Sequence, residues 1–116
     1  MLRRAAPVPG YTIVIWNGGH VTEPHDLDAA DSSGYWQDVL AVARALDIHF
    51  TPAKMNFLTL GNALPHLHTH VFPRYVTDPA PERPLPWDLI DDAGELDEAM
   101  CRDQLRSLRQ IMAHTP

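Results

Sequence analysis

His66-Leu67-His68-Thr69-His70-Val71-Phe72 lies between Pro65 and Pro73, and its alternation decides what kind of chain this is. Side chains of an extended strand alternate between its two faces, so His66, His68 and His70 share one face while Leu67, Thr69 and Val71 take the other. Same-face neighbours lie roughly 6.5–7 Å apart, close enough for three imidazoles to converge on one small anionic group. Crowding of like charge disfavours three simultaneous imidazolium ions, so at least one ring is expected to be neutral. A neutral ring nitrogen is a nucleophile, and its neighbours can donate hydrogen bonds to phosphate oxygens. The same rings are also good zinc ligands, with a further ligand available from His20, His25, His49 or an acidic residue. Spacing alone leaves phosphate and metal both open.

Working outward, Lys54–Leu60 reads as a strand, and Gly61-Asn62 as the turn that leads back toward the histidines. Upstream, Tyr11-Thr12-Ile13-Val14-Ile15-Trp16 is a β-branched and aromatic run stopped by Asn17-Gly18-Gly19, after a lead-in over Met1–Gly10. Asp31, Ser32 or Ser33 is expected to cap a helix, whose buried stripe would be Trp36, Val39, Leu40, Ala43 and Leu46; Thr51-Pro52 ends it. Pro73 is expected to close the histidine strand at Phe72. Pro79, Pro81, Pro84 and Pro86 then mark a loop or tail outside the sheet. Leu96, Met100, Cys101, Leu105, Leu108 and Met112 give a second amphipathic helix over about residues 95–113. Short strands in quick succession favour an α+β fold, a compact antiparallel sheet with two helices, over a doubly wound parallel one.

The chain's 116 residues suit one domain, residues 1–116, with a single core, and 45% apolar and 21% charged residues are the balance of a globular protein. No run approaches the ~18–20 apolar residues needed to span a bilayer, and Arg3-Arg4 is followed by no long apolar stretch, so neither a membrane span nor a secretory signal is expected. One cysteine, Cys101, makes no internal disulfide, fits a reducing cytoplasm and reads as a packing residue. Nine basic against fifteen acidic residues, a net charge of −6, argue against a polymeric nucleic acid as partner, though not against a single nucleotide. Among the seven histidines, His20 and His25 fall in a turn region and read as surface-loop residues, placed where they could also approach the site. Arg74 reads as a phosphate contact, a solvated side chain or a dimer contact. Trp36 and Trp87 read as packing residues, Trp87 in a segment that could cross a dimer interface.

The stretch Asn62–Arg74 resembles the signature of the histidine triad nucleotide-binding family, in which three histidines are separated by single residues with apolar neighbours. The likeness extends over Gly10–Ile15, His20–Glu23, His25–Leu27, Lys54–Asn56, Gly61-Asn62 and Pro84–Trp87, fitting a bacterial branch of the family, with the signature region at 54–74. The resemblance implies a compact α+β enzyme, usually homodimeric, acting as a nucleotide hydrolase or nucleotidyl transferase on a dinucleoside polyphosphate, nucleoside phosphoramidate or similar substrate. It implies His68 as the catalytic nucleophile that forms a nucleotidyl-histidine intermediate. His66, His70, Asn62 and Asn56 would bind the substrate phosphates. It implies no metal and no cofactor. A metal-dependent hydrolase on the same histidines, or a non-catalytic nucleotide sensor, stand as alternatives. Three departures mark this chain: Tyr11 replaces the histidine common near the first strand, about ten residues stand before that strand where family members usually carry an extra strand or hairpin, and no Cys-x-x-Cys pair occurs.

Overall fold

β-Branched Thr12, Ile13, Val14 and Ile15 extend as β1 (Thr12–Ile15) because their side chains pack well on a pleated, half-buried surface. The computed structural model describes residues 8–78, 80–85 and 97–114. After β1 come a 3₁₀ turn (Pro24–Asp26), α1 (Ala29–Phe50), β2 (Lys54–Leu58), β3 (His68–Arg74) and α2 (Glu98–His114). The three strands form one antiparallel sheet in the order β1-β3-β2. The α+β arrangement expected from the sequence, a small antiparallel sheet with two helices, is the one that forms.

The strand register sorts the side chains. Ile15 pairs with His68, Ile13 and Leu58 with His70, and Asn56 with Phe72, so these residues share one face of the sheet. Thr69 and Val71 point the other way, toward the helices. There Tyr35, Val39, Ala43, Ala45 and Leu46 of α1 gather with Leu67, Val71, Cys101 and Leu108 in the main core. A smaller cluster of Val8, Tyr11, Phe72 and Leu85 covers part of the histidine face. Cys101 is buried in the main core, as a packing residue should be.

Several boundaries differ from the sequence reading, each for a local reason. β3 begins at His68 and runs through Pro73 to Arg74, so His66 stands outside the ladder and Pro73 does not end it. In an antiparallel strand the N–H and C=O of one residue point to the same side, alternating along the chain. Arg74 O accepts from Ala53 N on the β2 side (3.0 Å), so the nitrogen of Pro73 faces the β1 side. There the β1 pairing has already stopped at Thr12–Val71, and the missing N–H costs no ladder bond. β2 stops at Leu58 instead of Leu60.

α1 starts three residues early because Asp28 caps it, its carboxylate accepting Asp31 N at 2.8 Å. Its buried stripe is Tyr35, Val39, Ala43 and Leu46, leaving Trp36 and Leu40 exposed. Trp36 packs edge-on against Tyr35 instead. The stripe turns by about one residue because the Tyr35 hydroxyl reaches Thr69 beneath the sheet. On α2, Cys101 and Leu108 are buried while Met100 and Met112 are exposed. Leu96, Pro79, Pro86 and Trp87 lie outside the described residues.

Gly10 turns the chain into β1 with φ +87°, and an added Cβ would lie 2.8 Å from the Phe50 ring and 3.0 Å from Pro73. Gly10→Ala therefore meets both backbone strain and a clash. It is expected to lower stability by about 1–3 kcal/mol, read as an earlier midpoint in urea.

Candidate nucleotide-phosphate site

β3 delivers His68 and His70 to one face, their rings 5.1 Å apart between centroids and edge to face. The back of the strand is tied down by a buried hydroxyl chain. Thr69 Oγ1 lies 2.6 Å from the Tyr35 hydroxyl and 2.7 Å from Thr59 Oγ1. Burial pushes the Tyr35 phenol above its usual value, with the Thr69 hydrogen bond partly opposing. It therefore stays a neutral hydroxyl at physiological pH. Thr69, the residue between the two histidines, is fully buried and hydrogen-bonded on both sides.

The hydrogen bonds decide where the protons sit. His68 Nδ1 lies 2.6 Å from the carbonyl oxygen of His66. A carbonyl can only accept, so Nδ1–H donates, and the neutral ring keeps its lone pair on Nε2. His66 Nε2 likewise donates to Trp16 O at 2.6 Å, and His66 Nδ1 lies 3.2 Å from His20 Nδ1, the two rings inclined at 25°. Both nitrogens of His66 are thus engaged by protein groups, and its carbonyl is what it presents to His68. His70 Nδ1 meets the hydroxyl of Tyr11 at 2.8 Å. Tyr11 is fully buried, stacks on Phe72 and stands edge-on to His70, so the tyrosine that replaces a family histidine still reaches the triad. Tyr11→Phe keeps the stack and removes the hydroxyl. Stability is expected to fall by about 1 kcal/mol, measured by thermal unfolding.

The remaining candidates separate. Asn56 is on the histidine face, its Oδ1 accepting from Arg74 Nη1 at 3.0 Å, which leaves its amide N–H groups as donors. Asn62 is exposed in the turn after Gly61, and among the described residues no hydrogen bond joins it to the histidines. Arg74 fits none of the three roles read from sequence. It is buried, with Nε on Asp78 at 2.5 Å, Nη1 on Arg83 O at 2.7 Å as well as on Asn56, and Nη2 on Ala80 O at 2.6 Å. It is a structural hub tying β3 to the loop beyond it. His25 stays on the exposed surface, and His20, also exposed in its loop, reaches His66 from there. Among the described residues no three His, Cys, Asp or Glu side chains are gathered to hold a metal ion.

A family model for the HIT domain matches residues 1–77, two thirds of the chain. The chain belongs to the histidine triad (HIT) family. Its fold is similar to that of a histidine triad protein from Bradyrhizobium japonicum, at 25% identity and a TM-score of 0.85, covering 96% of this chain and 81% of that one. It is similar also to HIT proteins from Sinorhizobium meliloti (22% identity, TM-score 0.79, 94% and 78% covered) and Marinobacter aquaeolei (21%, 0.78, 99% and 82%). No curated protein matches the sequence. Among the described residues no helix is long and apolar enough to cross a membrane.

The HIT signature led directly to His66, His68 and His70. It did not lead to His20, Tyr11 or Thr69. The signals for His20 were its place in the family-like stretch His20–Glu23 and the Gly18-Gly19 turn before it, which lets the chain double back.

Proposed function

We propose that this HIT protein is a nucleotidyl hydrolase or transferase acting at the α-phosphate of a nucleotide, with His68 as the nucleophile. The observation that carries the reading is the hydrogen bond from His68 Nδ1–H to His66 O, which leaves Nε2 with an available lone pair. Nε2 attacks the α-phosphorus, forming a P–N bond. The bond from phosphorus to the leaving group breaks, and its electron pair departs with that group. The positive charge developing on the imidazole is spread toward Nδ1–H, where the carbonyl dipole stabilises it. Water or another acceptor then attacks phosphorus and loses its proton to solvent. The P–N electrons return to Nε2, and a nucleoside monophosphate or its transfer product leaves.

Charge on the non-bridging oxygens needs donors from positioned groups. The reading assigns this to His70, His66, Asn56 and Asn62. Asn56 suits it because Arg74 holds its carbonyl oxygen and turns its N–H groups outward. His66 takes part directly once its Nε2–H is released from Trp16 O. Substrates in this reading are phosphoanhydrides, phosphoramidates or dinucleoside polyphosphates, and neither metal nor cofactor supplies a step. The reading also includes one HIT-like domain over residues 1–116, a cytoplasmic location and a homodimer. Trp36, Leu40 and Ile48, exposed at helical spacing along α1, support the homodimer. A sedimentation mass near twice 13.0 kDa would bear it out, and a 13.0 kDa species would refute it.

The test is to incubate the protein with adenosine phosphoramidate, ADP and a diadenosine polyphosphate, each radiolabelled at the α-phosphorus. An acid-labile, base-stable label on His68 is the expected result. Tight binding with no adduct would overturn it in favour of a sensor. Stoichiometric zinc whose removal stops turnover would overturn it in favour of a metal-dependent hydrolase.

A further inference from the structure

We infer that His20 is a positioning residue that acts through His66 to set the orientation of His68; the inference rests on His68 being the nucleophile. His66 precedes the first ladder pair of β3, so the sheet does not fix it. Yet it is the residue whose carbonyl receives the His68 Nδ1 proton, at 2.6 Å. Any rotation of the peptide at residue 66 swings that acceptor, and the His68 ring with it. What holds residue 66 and the peptide after it therefore contributes to the direction of the His68 Nε2 lone pair.

Apart from Leu64 O, which accepts from His66 N at 2.8 Å, the holding groups come from one stretch between β1 and α1. Leu67 N donates to Val21 O at 2.7 Å, and Trp16 N donates to Leu67 O at 3.0 Å. The first of these bonds fixes the peptide that carries the His66 carbonyl, and His66 N is held by Leu64 O, so the His66 ring is the part of the residue that its side-chain partners hold. The His66 ring is clamped at both nitrogens, by Trp16 O through Nε2 and by His20 through Nδ1. Because Nε2–H is committed to Trp16 O, one proton lies between the two facing Nδ1 atoms and makes a single hydrogen bond. The two rings lie edge to edge at 25° with centroids 5.4 Å apart, the arrangement in which that single hydrogen bond runs along both ring planes. Gly19, with φ +115°, lets the chain fold back and bring His20 over His66, 46 residues away in sequence. Within this clamp His20 is the one member whose contacts to His66 come from its side chain, so substitution can remove it without disturbing a backbone bond.

The decisive comparison is His20→Phe, which keeps a flat ring and loses the nitrogen, against His20→Asn, whose amide places a polar atom near the position of Nδ1. Each is compared with wild type for the rate of label transfer from adenosine phosphoramidate to His68, for equilibrium binding of AMP, and for imidazole ¹⁵N shifts. His20→Phe is expected to slow adduct formation about tenfold, the scale set by small misplacements of a reacting group. AMP affinity should stay within about twofold, and the His66 and His68 ring signals should move, since only the nucleophile's aim has changed. His20→Asn should recover the rate to within about threefold, because a polar atom again meets His66 Nδ1. Adduct formation at the wild-type rate in His20→Phe would overturn the inference. So would equal slowing in both variants, or AMP affinity falling in step with rate. If wild type itself forms no adduct, the proposed reaction fails on its own. The clamp is then decided by the ¹⁵N spectrum, where a His66 signal unmoved in His20→Phe overturns it.

Discussion

His68→Ala is expected to abolish nucleotidyl transfer while nucleotide binding survives. Loss of a covalent nucleophile removes the two-step path altogether, and the drop in turnover should be about 10⁴-fold or more. Binding should change by no more than about threefold, because the ring's ground-state contribution is small beside what it does in the transition state. His68 is half-buried on the sheet face, outside both apolar clusters, so the variant should stay folded and its thermal midpoint should confirm this. The measurement is single-turnover release of nucleoside monophosphate beside equilibrium binding of AMP. If both fall together, His68 builds the pocket and does no chemistry. If neither falls, the nucleophile is elsewhere.

The second large effect concerns stability. Arg74→Met should destabilise the protein by about 3–5 kcal/mol, because it removes one partner of a buried ion pair and strands the other. Asp78 is only 6% exposed at its side chain and would be left without its counter-ion. The carbonyls of Ala80 and Arg83 would lose their donors as well, loosening the loop that lays Leu85 against Phe72. Chemical denaturation gives the number, and the thermal midpoint should fall by roughly 10–20 °C. Arg74→Met combined with Asp78→Leu tests the cause, since removing both charges leaves no stranded carboxylate. The double variant should recover a large part of the loss. A double variant as unstable as the single would place the effect in the lost carbonyl bonds.

Much of this molecule is legible before any coordinates. The period-two alternation of His66–Phe72 announces a strand with chemistry on one face, because strand geometry forces alternate side chains apart. Pro52 stops α1 as its residue type requires, while Thr51 before it takes the left-handed region that a β-branched residue seldom adopts. The errors are of another kind. Pro73 reads as a terminator until the length of β1 is known, since a proline is harmless where no strand stands beside its nitrogen. Arg74 reads as a surface or phosphate cation until four protein acceptors are found around it. His66 reads as an equal member of the triad until its ring proves to be held by Trp16 O and His20.

The amino-acid order by itself determined the α+β class, the family and the sharing of one sheet face by His68 and His70, because these follow from local periodicity and from contiguous residue types. Only the tertiary structure decided which hydrogen-bond partner each imidazole has, and so which nitrogen carries its proton. Those partners, Tyr11 for His70 and His20 with Trp16 for His66, lie 46 to 59 residues away along the chain. A hydrogen bond depends on distances and angles that local sequence does not encode, and packing of the β1–α1 connection against the start of β3 is what sets them.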